Sequence, residues 1–198
     1  MTLRNYTICL MALLSNAAAA QAECVSSDDL TDGIIVTYDD GTVETHRQNT
    51  PDLVSIAEVN RDGWILDWDL VKGIYYIRHT VWIQGRPAGD KGYTIDYGLP
   101  PSDLPLPKPG DIWETSSSMH LFPFDPYQQE EVFTYRELNS FEIGDCTYEA
   151  IAIENTSTVQ GDISIIGALF LPEVGTSFTV EVDGDPWRQP VSVVAADR

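Results

Sequence analysis

The sequence predicts a mainly β protein: an antiparallel meander forming a curved half-barrel or a sandwich, with at most one short helix. Three observations carry this. Apolar and polar residues alternate one by one over several segments. Asp-Gly turns separate runs of β-formers. Beyond residue 22, no segment sustains an apolar period of about 3.6 residues.

Each element follows from its residues. Ser27 and Asp28 can cap one short turn before Leu30, and Gly33 with the β-branched run after it stops any longer helix. Ile34, Val36 and Tyr38 alternate up to Asp39-Asp40-Gly41, and Val43-Glu44-Thr45-His46-Arg47 returns. Glycine takes the positive φ that such a turn needs. The form recurs with 54–59, the turn Asn60-Arg61-Asp62-Gly63, and 64–70. In that return strand Asp67 and Asp69 are expected to face solvent, with Leu66, Trp68 and Leu70 inward.

Residues 74–83 read as the longest strand of the first half. Tyr75, Ile77, His79, Val81 and Ile83 fall on one face, and Ile74, Tyr76, Arg78, Thr80 and Trp82 on the other. A further hairpin passes through 85–92 into 93–97. Residues 99–110 then carry five prolines, which cannot donate to a sheet ladder. An extended crossover over 99–109 therefore joins the halves 23–98 and 110–198, packed down through Leu99, Leu104 and Leu106. Strands are expected near 112–121, 131–138, 146–153, 163–171 and 177–183. The run 163–171 is apolar on both faces and reads as central; Phe178, Val180 and Val182 alternate as in a half-exposed strand near an edge.

The N-terminus predicts export. Arg4 precedes an apolar stretch over 6–14, and Ala17–Ala20 with Ala20-Gln21-Ala22 fits signal-peptidase cleavage after Ala22. Ser15, Asn16 and Gln21 interrupt too early for a spanning helix, which needs about 20 apolar residues. Glu23 is the wrong neighbour for a lipid anchor on Cys24. The mature chain is then one β-rich domain over 23–198, without a transmembrane segment, in the periplasm or outside the cell. Cys9 leaves with the leader, so Cys24 and Cys146 remain. In an oxidising compartment two cysteines read as a disulfide; zinc would need further ligands, and the alternative is two buried thiols.

Composition excludes more than it assigns. The chain has 198 residues, 31 Asp and Glu against 11 Lys and Arg, and a formal charge of −20. Its only lysines are Lys72, Lys91 and Lys108, without a basic run, which argues against nucleic acid. Such acidity keeps a surface solvated in salty surroundings. Ser116-Ser117-Ser118 lies near His120, but no nucleophile-elbow motif occurs. Asp67 with Asp69, and Asp183 with Asp185, are spaced as calcium ligands can be, yet neither pair continues into a binding loop. No cofactor motif is present. Distant carboxylate pairs and the five tryptophans leave carbohydrate hydrolysis open.

The segment Phe141-Glu142-Ile143-Gly144-Asp145-Cys146-x-Tyr148, then Ile151-x-Ile153, then Leu169-Phe170-Leu171-Pro172-Glu173-x-Gly175, resembles uncharacterised exported proteins of alphaproteobacteria. It is also similar, more loosely, to lipoprotein-localisation-type domains. That resemblance implies an antiparallel half-barrel around an apolar cavity and brings no catalytic residues. Large groups on both faces of 74–83 and 163–171 point the same way, because no amphipathic helix is available to cover a second face. The expected function is non-enzymatic binding of a hydrophobic ligand or an envelope partner. Tyr75, Ile77, His79 and Trp113 are the expected pocket walls. The alternatives are a filled structural domain or a hydrolase.

Overall fold

The computed structural model describes residues 24–60 and 62–196. The leader expected over 1–22 lies outside them. After the helix α1 (Ser27–Asp32) come β1 (Ile34–Tyr38), β2 (Val43–Thr50), β3 (Leu53–Val59), β4 (Ile65–Val71), β5 (Tyr75–Ile83), β6 (Arg86–Pro87) and β7 (Tyr93–Asp96). Beyond the crossover follow β8 (Ile112–Leu121), β9 (Tyr127–Ile143), β10 (Cys146–Val159), β11 (Asp162–Leu171), β12 (Thr176–Val182), β13 (Asp185–Pro186) and β14 (Pro190–Ala195). All of them join one 14-stranded sheet, in the order β13-β12-β11-β10-β9-β8-β7-β5-β4-β3-β2-β1-β14, with β6 beside β5. Every described pairing is antiparallel.

The meander is the expected one, and the ends of its strands differ. β9 and β10 run well past their expected limits, because Glu130, Thr156 and Ser157 keep the pairing going with polar residues. β14 has no counterpart in the sequence reading. It pairs with β1, Ile34 opposite Ala195, and so ties the C-terminal segment to the first strand. Asp69 is buried rather than solvent-facing: Arg78 pairs with it at 2.6 Å and the Ser55 hydroxyl donates to it at 2.5 Å. β11 is covered on both faces only at Leu169–Leu171, whereas Ile163 is 65% exposed.

So long a sheet hides its apolar face by curling. One core packs Ile34, Val36, Val54 and Leu70 of β1–β4 against Tyr148, Leu171 and Phe178 of β10–β12. A second gathers Tyr75, Tyr97, Phe133, Tyr135 and Ile153. The two limbs meet at a seam made by side chains and turns. Tyr76 Oη lies 3.0 Å from Thr179 Oγ1, and Ser177 Oγ donates to the Gly73 carbonyl at 2.7 Å. A Cβ on Gly73 would overlap the Gly175 carbonyl oxygen of the β11–β12 turn. Gly73 also has φ +68, a conformation that only glycine adopts cheaply.

The remaining segments are pinned to this frame. Lys72 Nζ donates to the Ser102 and Leu104 carbonyls, and Leu104 is buried, so the proline-rich crossover is held down there; Leu99 and Leu106, expected to pack with it, are exposed instead. The N-terminal segment lies on the β11–β12 turn: Ser27 N donates to Glu173 O, and the Ser26–Asp29 capping box starts α1. Cys24 is bonded to Cys146, with Cα atoms 5.6 Å apart and a sequence separation of 122.

Two outcomes follow. Gly73→Ala should destabilise the fold by about 2–4 kcal/mol, overpacking and positive φ combined, measured by urea unfolding; a change within ±0.5 kcal/mol would mean that the turns do not touch. Cys146→Ser should cost roughly 4–5 kcal/mol on the loop-entropy account. Thiol labelling of the denatured, unreduced mature protein should find no free cysteine.

Candidate functional site

Register decides which side chains face the inside of the curl. Across the ladder, Trp68, His79 and Tyr93 are opposed in turn on β4, β5 and β7. Ile95, Met119 and Tyr127 make the next row, on β7, β8 and β9. Phe133, Asn155, Ile166 and Val182 make a third, on β9 to β12. Two bulges adjust the alternation. One leaves Ile77 unpaired, so Tyr76 joins His79 and Trp68 on one face. The other falls opposite Gly167/Ala168 and turns both Thr179 and Val182 inward.

These rows enclose a cavity of about 450 Å³, bordered by Trp68, Tyr76, Tyr93, Met119, Phe133, Ile153, Ile166 and Ala168 among others. That volume falls in the range of small-molecule sites, about 300–1,000 Å³. Its floor is aromatic. The Tyr75 ring meets those of Trp113 and Phe133 edge-on at 5.1 Å, and its hydroxyl lies 2.6 Å from Tyr135 Oη. Burial, then this hydrogen bond, pushes the Tyr75 hydroxyl far up; burial lifts Tyr135 to about 12. The mouth lies at the opposite end, beside the β8–β9, β10–β11 and β12–β13 turns. There Trp187 borders the cavity while 60% exposed, and Phe124 is 68% exposed.

Polar groups in the wall cluster on β8–β10. Glu131 is 3% exposed and accepts from Ser117 Oγ at 2.5 Å, Gln129 Nε2 at 2.9 Å and Asn155 Nδ2 at 2.8 Å. Burial, and next the charge of Glu131, pushes the Tyr97 hydroxyl well above its ordinary value. No Lys, Arg or His borders the cavity among the described residues.

Of the four residues expected as walls, none borders this space. Tyr75 and Trp113 build the floor beneath it, Ile77 packs against that same aromatic core, and His79, on the inner face between Trp68 and Tyr93, stacks on Trp68 at 5.1 Å. Burial lowers the His79 pKa. The sequence reading missed Glu131 because it started the strand there; alternation of Gln129, Glu131, Phe133 and Tyr135 against Glu130 and Val132 is the signal that marks its face.

A second constellation lies behind the wall. His46 is fully buried, with Nδ1 2.9 Å from Thr176 Oγ1 and Nε2 2.8 Å from Glu44 Oε2. Tyr38 Oη donates to Glu44 at 2.5 Å, and Arg188 bridges Glu44 and Glu58. Hydroxyl, imidazole and carboxylate stand in the order of a nucleophilic relay. Thr176 is also fully buried, so no substrate carbonyl reaches it. The cluster fastens β2 and β3 to the chain between β13 and β14. Burial raises the Glu44 carboxyl, but the hydrogen bonds and charges of His46 and Arg188, with Tyr38, outweigh it and hold the group below its ordinary value.

The other candidates have structural partners. Ser116 and Ser117 donate to Glu130 and Glu131, and the His120 ring lies tilted against that of Phe122, centroids 4.2 Å apart. Asp183 accepts from Ile165 N and Ser164 Oγ. Among the described residues, no three His, Cys, Asp or Glu side chains converge as metal ligands, and no helix is long and apolar enough to cross a membrane. No protein-family model, curated protein or solved structure matches this chain, so its function is argued from this geometry.

Arg188→Ala should cost about 3–5 kcal/mol in urea unfolding, because it leaves Glu44 buried without its cation. Glu44 contributes stability above the unfolded carboxyl value of about 4.3, lost as pH falls through its lower folded value. Glu44→Gln should therefore flatten the fall of stability with acid below about pH 4.3.

Proposed function

We propose that this protein is a non-catalytic, exported binding protein that carries a hydrophobic small molecule in the cavity between β4–β5 and β7–β12. One observation supports this above all. The inner face is aromatic and aliphatic, yet its side chains leave about 450 Å³ unfilled instead of meeting as the two cores do. Protein interiors otherwise pack with few voids larger than a water molecule. Among the described residues no helix covers the mouth, and the turns around Trp187, which borders the cavity while exposed, are the route in. Work outside the cytoplasm, in the periplasm or beyond it, is supported by the Cys24–Cys146 bridge and the leader-like N-terminus. No reacting group is needed for such a role, and the buried hydroxyl–imidazole–carboxylate set stays a structural clasp.

The test is titration of the purified mature protein with an environment-sensitive hydrophobic dye. Saturable binding of one dye per chain is expected. Ala168 borders the cavity from β11, and Ala168→Phe should weaken the dye about tenfold or more, with the circular dichroism spectrum unchanged. Folded protein that binds no dye, or a variant that binds it undiminished, contradicts the carrier reading and favours a structural domain.

A further inference from the structure

We propose that the cavity selects a hydrophobic amine, its ammonium group held by Glu131 and its apolar part running toward the mouth. This rests on the carrier reading and adds the ligand's charge to it. The first observation is the set of groups around the carboxylate. A carboxylate offers about four acceptor positions. Ser117 and Gln129 take the two on Oε1, and Asn155 takes one on Oε2. Among the described residues no donor takes the second position on Oε2, and the Glu131 side chain borders the cavity. All three partners are neutral, and no cation pairs with Glu131 among the described residues.

The contrast with Glu44 sharpens this. Both carboxylates are almost fully buried, at 4% and 3% exposure. Glu44 has Arg188 against it, in the interior of the fold. Glu131 has a cavity. A buried carboxylate without a countercharge is costly unless a cation is supplied, and here only a ligand can supply it. The second observation is the wall beside it. Tyr97 and Phe133 border the same space, and aromatic faces attract ammonium groups by roughly 0.5–2 kcal/mol. The third is what is missing from the lining: without Lys, Arg or His there, a fatty carboxylate would bring a second negative charge to Glu131 with nothing to meet it.

Depth fixes the orientation. Along β9, Tyr127 lies near the mouth, Gln129 and Glu131 follow, and Phe133 joins the floor. From Glu131 outward the wall continues through Ile166, Val159 and Val182 to Trp187. A primary ammonium fits better than a quaternary one, since the open position on Oε2 calls for an N–H.

Four probes of matched chain length test this by isothermal titration below their micelle concentrations: dodecylammonium, dodecyltrimethylammonium, dodecanol and dodecanoate. Dodecylammonium should bind about tenfold or more tighter than the other three, as a charge-assisted hydrogen bond is worth. Glu131→Gln should abolish that preference and keep dodecanol within about twofold. Glu137→Gln, which removes the same charge from an exposed position, should keep it. If all four probes bind wild-type protein equally, or dodecanoate or dodecanol binds tightest, the amine proposal is wrong and the carrier reading survives. If Glu137→Gln loses the preference too, general attraction to an acidic surface explains it and the assignment to Glu131 fails. If no probe binds, both fail. The wild-type comparison decides the matter even if Glu131→Gln does not fold.

Discussion

The contact between two turns holds this structure closed. Among the described residues, a sheet of fourteen strands with a short helix at one end has no separate layer to cover its apolar face. Among the described residues it is not closed by backbone pairing, and the end strands β13 and β14 have no outer neighbour there. Closure depends on the β4–β5 turn meeting the β11–β12 turn, where Gly73 sits against the Gly175 carbonyl. A side chain there would prise the limbs apart, and Tyr76–Thr179 and Ser177–Gly73 would lose their reach. The disulfide and α1 reinforce the same place from outside, since Ser27 bonds to Glu173 and Leu30 is buried near Gly175. The clasp around Glu44 and Arg188 then holds β2 and β3 to the C-terminal segment.

Closing at a seam rather than by ladder hydrogen bonds explains why the interior is uneven. Near the seam, large side chains from both limbs meet and fill the space: Leu70, Tyr148, Leu171 and Phe178 are all buried there. Farther along β9–β12 the inward residues shrink to Asn155, Ser157, Ser164 and Ala168, and the limbs stay apart. The cavity is the volume those small residues leave. The aromatic floor of Tyr75, Trp113 and Phe133 seals its inner end, and edge-to-face rings pack without needing hydrogen-bond partners in the space above.

The sequence was legible wherever the signal was local. Hairpin turns at Asp39–Gly41 and between β3 and β4, and the proline crossover, depend on residues close in the chain and stand where they were expected. The short helix does too, but Ser26 rather than Ser27 or Asp28 caps it, and it runs through Leu30 to Asp32. Non-local partners were the obstacle. β14 pairs with β1 across the length of the chain, and nothing in Pro190–Ala195 names that partner. The bulge at Ile77 shifts Tyr76 to the face of His79, so strict alternation picked the wrong set of walls from the right strand. Asp69 reads as a surface acid until Ser55 and Arg78 are seen beside it. Arg188 sits in a run that reads as loop, though it neutralises two carboxylates from distant strands.

The central claim is that the inner face of β10 and β11 surrounds a ligand-sized apolar space. Nuclear Overhauser contacts between a bound alkyl probe and the methyl groups of labelled protein test it directly. The account predicts contacts to Ile153, Ile166 and Ala168, which border the cavity, and none to Ile163, which faces solvent. Contacts at Ile163 without those at Ile153 and Ala168 would place the probe on the outside of the sheet and contradict the account.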